Sequence, residues 1–325
     1  MTLSHDDAIA IFRAELDRLN REDGTAVDPR LPVPIDWFAL FRRETNTEWL
    51  VTDVWPVGRQ CHMHAARKTG KSLVALFMAC QLAVGHDPFN GNEQPPIKVA
   101  YLDYEMTEDD LLERVEEMGF TPDRLAGRLS YFLHPAIPML DTPDGGSLLL
   151  DTLVAYDIQA VVIDTMSRVV AGEENNNDTY IKFFKHTGSR LKAAGIAMFR
   201  LDHEGHESGR SRGASAKADD VDIVWQLKET DNGHEFVRKA ARMSWVPEKV
   251  SVAKHAEPTL RFTASQESWP AGTVEKAKEL DAVKAPTDVS KRKALEMLRA
   301  GGFTPGKTIV VTAAIRYRKN RIMGV

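Results

Sequence analysis

The amino-acid sequence predicts an α/β fold: a mostly parallel sheet, preceded by an N-terminal helical arm and followed by a small basic C-terminal segment. Between residues 35 and 262, short apolar runs alternate with longer runs of helical periodicity, the pattern of successive βαβ units. The runs "VAYLDY" (99–104), "AVVID" (160–164), "IAMFRLD" (196–202) and "DIVWQL" (222–227) read as buried strands. In addition, "RQCHMH" (59–64) leads through a Gly-Lys-Ser turn into the apolar helical run "SLVALFMACQLAVG", a strand–loop–helix unit.

Composition narrows the class. The chain has 325 residues, 43% of them hydrophobic and 27% charged, as in an ordinary globular protein. No apolar stretch approaches the roughly 20 residues that span a bilayer, and "MTLSHDDAIA" lacks a basic region leading into an apolar core, so the expected location is the cytoplasm with no membrane partner. Cys61 and Cys80 cannot form a disulfide framework and suit a reducing compartment. The net charge of -5 leaves any contact with a polyanion to local patches.

Residues 1–34 are read as an arm and linker. Ser4 caps a helix over 4–21 whose apolar positions Ile9, Phe12, Leu16 and Leu19 share one face; "DGTAVDPRLPVP" (23–34) then breaks structure. Such an arm packs on a neighbouring subunit or on its own core. Helices are expected at 71–84, 107–118 and 178–194, and "HEFVRKAARM", "VSVAKH" and "TLRFTA" are expected to finish the sheet as antiparallel edge strands. Residues 263–289 read as a linker holding a short helix. The segment 290–325 carries nine basic residues against one acid, Glu296: "KRKALEMLRAGG" is a helix, "KTIVVTAAIRYRKN" a second helix or a strand, and the whole is either a solvated basic tail or a small helix-turn-helix module.

The stretch "HAARKTGKS" (64–72) ends like a phosphate-binding loop, but Ala65 stands where G-x-x-x-x-G-K-[ST] has its first glycine. A left-handed backbone at Ala65 would cost about 1–2 kcal/mol, and an extended one almost nothing. Loop residues Ala65, Ala66, Arg67, Lys68, Thr69 and Gly70 would surround the phosphates of ATP, Lys71 would reach their outer oxygens, and Ser72 would ligate Mg²⁺. Three groups follow at the carboxyl ends of expected parallel strands, where ligands bind. Glu105 could polarise an attacking water, Asp164 could hold Mg²⁺, and His203 could sense the terminal phosphate. His62 and His64 beside Cys61 lack further ligands for zinc, and Trp37, Trp49 and Trp55 are expected to pack in the core or as a wall beside an adenine.

The tracts at 64–89, 99–120, 161–206 and 211–227 together resemble the RecA-fold ATPases of the RepA type, hexameric replicative helicases of plasmids and phages whose kin are known only as AAA-family ATPases. The likeness covers about residues 35–262 and implies a RecA-like P-loop NTPase core, ATP and Mg²⁺, a homo-oligomeric ring and single-stranded DNA as partner. "RGASA" (212–216) resembles that family's arginine-finger motif, which implies that Arg212 reaches a neighbouring subunit's γ-phosphate, with Lys217 a second cation. The chain departs from the pattern at Ala65 and at Asp202, which replaces a second histidine. The stretches that would line a central channel are 166–178, rich in acids, and 204–213, with Arg210 and Arg212. The expected function is an ATP-hydrolysing motor on single-stranded DNA; the alternative is an ATP-dependent organiser, loader or regulator without unwinding.

Overall fold

The computed structural model of the chain describes residues 34–42, 48–172, 176–203, 220–264, 270 and 272–323. A short helix α1 (Trp37–Arg42) and a two-stranded ribbon, β1 (Trp49–Val51) with β2 (Trp55–Pro56), precede the main sheet. That sheet has nine strands: β3 (Gln60–Ala65), β4 (Val99–Asp103), β5 (Leu129–Leu133), β6 (Ala160–Asp164), β7 (Ala197–His203), β8 (Ile223–Thr230), β9 (Gly233–Ala241), β10 (Lys249–His255) and β11 (Arg261–Ala264). Their order is β11-β10-β9-β8-β3-β7-β6-β4-β5. The six strands from β8 to β5 run parallel, and β9, β10 and β11 continue antiparallel at one edge. The sheet is the mostly parallel one expected, with the three antiparallel strands where the sequence put them, and matches a RecA-like P-loop NTPase core.

Pleating sorts the core. Val99 and Tyr101 of β4 join one apolar cluster, while Ala100 and Leu102 join another, so β4 is buried on both faces. On the first face lies α2 (Lys71–Val84), apolar nearly all round and buried from Val74 to Cys80. The second face is covered by α5 (Pro143–Ala155), α6 (Met166–Val169), α7 (Asn177–Phe183), a π-helical turn (Phe184–Gly188) and α8 (Ser189–Ala193). Before α5 come α3 (Glu108–Glu117), started by a Thr107–Asp110 capping box, and the single turn α4 (Pro122–Leu125).

Three departures from the sequence expectation have physical causes. The single helix expected over 178–194 is broken by the π turn, where the buried Gln60 amide donates to the Gly188 carbonyl. Helix α5 was not legible because Gly145 and Gly146 open it; both are needed, since a Cβ would sit 2.2 Å from the Met139 carbonyl oxygen and 1.9 Å from that of His186. Strand β5, Leu-Ser-Tyr-Phe-Leu, is only half-buried. At the carboxyl terminus, α9 (Thr273–Ala282), α10 (Lys291–Ala300) and α11 (Thr308–Met323) share a small core of Ala277, Leu280, Ala294, Leu298, Val311 and Ala314. "KTIVVTAAIRYRKN" therefore lies in a helix. Among the described residues no helix is long and apolar enough to cross a membrane.

Candidate nucleotide site

Strand β3 ends at Ala65, and α2 begins six residues later at Lys71. Ala65 is fully buried, pairs in parallel register with His203, and is not among the residues with positive φ. The left-handed residues of the loop are Lys68 (φ 63°) and Gly70 (φ 84°). The backbone thus places its demand for glycine at Gly70, and a methyl group at residue 65 adds core contact without strain. Within the loop the Thr69 hydroxyl donates to the Ala66 carbonyl at 2.7 Å. The first amides of α2 have no helical partner and point into the turn, giving the positive end that binds anions.

Lys71 is buried, and its Nζ lies 3.2 Å from Nδ1 of His203. An ammonium has no acceptor, so it donates and Nδ1 accepts, which leaves the ring proton on Nε2. That nitrogen faces Glu105, 3.9 Å from Oε1. Side chains from the start of α2, the end of β7 and the β4–α3 turn are therefore linked through the two nitrogens of one imidazole.

Beside them sits an acidic centre. Asp103 and Asp164 are register partners at the ends of β4 and β6. Asp164 is buried and accepts a hydrogen bond from the Tyr101 hydroxyl at 2.8 Å and another from Ser72. Burial pushes its carboxyl up to about 6, against those two hydrogen bonds and with help from the neighbouring Asp103 and Glu105 charges. Tyr101 stacks on Tyr131 at 4.9 Å, and the Tyr131 hydroxyl donates to Asp103. The other oxygen of Asp103 accepts from the backbone amides of Glu105 (2.7 Å) and Met106 (3.1 Å), fixing the turn that projects Glu105 outward. Glu105 is 39% exposed, as a group meeting solvent must be, with Arg168 at 4.0 Å.

A cavity of about 730 Å³ opens against the other side of the loop, between Gly70 and Leu73 and the β8–β9 turn at Asp231 and Asn232, with Lys254 and Ala264 from β10 and β11. Its size suits a nucleoside.

A family model described as an AAA domain matches residues 8–209, more than half of the chain. The chain belongs to this AAA-domain family. It is accordingly an ATPase of the P-loop type. No curated protein matches the chain.

Of the residues singled out from sequence, this AAA-domain chain brings Lys71, Ser72, Glu105, Asp164 and His203 together, with Thr69 buried and Ala66, Arg67 and Lys68 exposed along the loop. Arg210, Arg212 and Lys217 lie outside the described residues, as does the arm at 4–21. Trp55 is fully buried against Phe199, whereas Trp37, expected in the core or beside an adenine, is 63% exposed. The core reading does not hold for Trp37, because α1 buries none of its residues. The basic segment is not simply a solvated tail: Arg318 is buried, bonded to Asp281 and to the carbonyls of Ala285 and Pro286, and Arg316 pairs with Asp53 of the β1–β2 turn.

Sequence reasoning passed over Tyr101, Asp103, Tyr131 and His234. For Tyr101 a signal was present, since a hydroxyl inside the buried apolar strand β4 needs a partner, but which acid it meets depends on the order of strands, as does the contact of Tyr131. His234 had none, because its contact with the loop depends on the order of strands.

Proposed function

We propose that the chain is an ATP-hydrolysing motor that acts on single-stranded DNA as a ring of identical subunits, in the manner of the RepA-type helicases it resembles. The observation that carries the reading is the convergence of Lys71, His203 and Glu105 beside Ser72 and Asp164, at the carboxyl edge of the parallel strands. Lys71 and the amides of the loop hold the phosphate oxygens. Glu105, held out by Asp103, takes the proton of the attacking water, and His203 joins it to Lys71 so that the phosphate end and the water end move together.

Ser72 and Asp164 are a fitting pair for Mg²⁺, since Asp164 is a buried carboxylate whose ionised form is disfavoured until positive charge arrives. The cation would screen phosphate charge during transfer. Arg212, with Lys217, is proposed to act on the neighbouring subunit's nucleotide, which ties hydrolysis to assembly.

A second reading, an ATP-dependent loader or organiser without unwinding, is favoured by the fate of the basic segment. Arg316 and Arg318 are engaged in internal contacts, which leaves less positive surface for a strand. Turnover of ATP with and without single-stranded DNA, followed by separation of a forked duplex, distinguishes the two. A motor shows DNA-stimulated turnover and unwinding; stimulation without unwinding favours the second reading, and absence of turnover rejects both.

A further inference from the structure

We infer that His234 is a positioning residue of the nucleotide site, locking one peptide of the phosphate loop in the orientation that offers its amide to the phosphates. The inference rests on the reading of residues 65–72 as a phosphate cradle.

Nε2 of His234, at the start of β9, lies 2.7 Å from the Thr69 carbonyl oxygen. The carbonyl can only accept, so Nε2 carries the proton and donates. The Thr69–Gly70 peptide is trans, and in a planar trans peptide C=O and N–H point in opposite directions. Holding the Thr69 oxygen towards β9 therefore turns the Gly70 N–H to the other side of the peptide. Turning that peptide over changes ψ of Thr69 and φ of Gly70, and Gly70, at φ 84°, has no Cβ to oppose the change, so the bond from His234 is what resists it.

Two glycines make the contact possible. A Cβ at Gly70 would stand 3.1 Å from Nε2 of His234, and one at Gly233 would collide with the Val252 carbonyl oxygen at 2.2 Å. Gly233 also has φ 152°, so the tight β8–β9 turn that delivers His234 depends on it. The imidazole is held from behind: its ring lies 5.6 Å from that of Phe262 in β11, and Phe262 meets Phe77 of α2 at 5.3 Å. The path runs from loop to β9 to β11 and back to the helix that the loop feeds. His234 is buried, and its Nδ1 has no hydrogen-bond partner among the described residues. An apolar ring of similar size would pack there as well, so the histidine is explained by the bond from Nε2.

The test compares H234L, H234N and H234Q with the wild type for binding of inorganic tripolyphosphate and of ATP with Mg²⁺ by calorimetry, with melting temperatures alongside. Tripolyphosphate reads the loop without the nucleoside cavity. H234L is expected to bind both about tenfold more weakly, the loss of one held carbonyl and its amide. H234Q, whose amide N–H reaches the same carbonyl, is expected to recover most of that loss, and H234N, one methylene shorter, is expected to resemble H234L. If H234L does not fold, the gap between H234Q and H234N carries the same test. Equal affinity across the variants, or a fall in melting temperature with phosphate affinity unchanged, overturns the inference. Failure of the wild type to bind either ligand instead overturns the nucleotide reading, and the inference with it.

Discussion

A single methyl group decides how the loop sequence is to be read. Ala65 occupies a motif position reserved for glycine, yet its backbone is extended and buried at the end of β3, while the left-handed turn falls at Gly70. A65G should therefore lower stability by about 0.5–1 kcal/mol through backbone entropy and leave ATP affinity where it was; chemical denaturation and a nucleotide titration check the two halves. Asp164 makes the opposite kind of statement, a site strained by its own charge. Its folded carboxyl titrates near 6 instead of the ordinary 3.8, so the folded state favours the protonated form. Stability from this group is fully present below about pH 4 and is lost as pH rises through 6. Metal-free D164N should then be more stable to chemical denaturation than the wild type at pH 8, by on the order of 3 kcal/mol, and the advantage should vanish towards pH 4. Glu105 is exposed and held by the Asp103 turn, so E105Q is expected to keep nucleotide binding while turnover falls by about 10²–10⁴-fold, measured by phosphate release.

Elements were legible in proportion to how plainly each buried its own face. Strands β4, β6 and β7 and helix α2 announce themselves by continuous apolar runs, and β3 by the Gly-Lys-Ser turn that follows it. Helix α5 and the π turn hide because their glycines serve close approach between elements, a property of the partner rather than of the segment. The site followed the same division: Lys71 and Ser72 open the helix after a Gly-Lys-Ser turn and Glu105, Asp164 and His203 lie at or just past strand ends, whereas Tyr101, Tyr131 and His234 act across strands that only the topology makes neighbours. Arg200 is the strongest case. It is fully buried in β7, donates to His62 Nδ1 at 3.2 Å, forks onto both oxygens of Asp220 at 2.7 Å, and lies over the rings of Tyr180 and Phe183. Asp220 stands just before β8, so this pair ties the entry of β8 to the middle of the sheet. Removing one charge strands the other: D220N should destabilise the fold by about 3–5 kcal/mol, whereas the double variant R200L/D220L should recover part of that loss in the same denaturation experiment.

At the scale of the whole molecule, the parallel strands do two things at once. Their two faces bury separate apolar clusters, and their shared carboxyl edge gathers charged groups from β3, β4, β6 and β7 into one site. Both cysteines lie inside this body, and burial pushes the Cys80 thiol up to about 12 and Cys61 well above its usual range. Neither should react with a thiol reagent at pH 8 in the native protein, so labelling that appears only in denaturant would report global unfolding. The carboxyl-terminal helices join the same body through Arg316 and Asp53. All of this bears on one claim, that the turn at Gly70 and Lys71 holds a nucleotide's phosphates. Calorimetric titration of the folded chain with ATP and Mg²⁺, beside K71A, tests it most directly. Saturable binding of one nucleotide per chain, lost in a K71A protein that still melts cooperatively, is the predicted result; no saturable uptake by the folded wild type, or equal uptake by K71A, would contradict it.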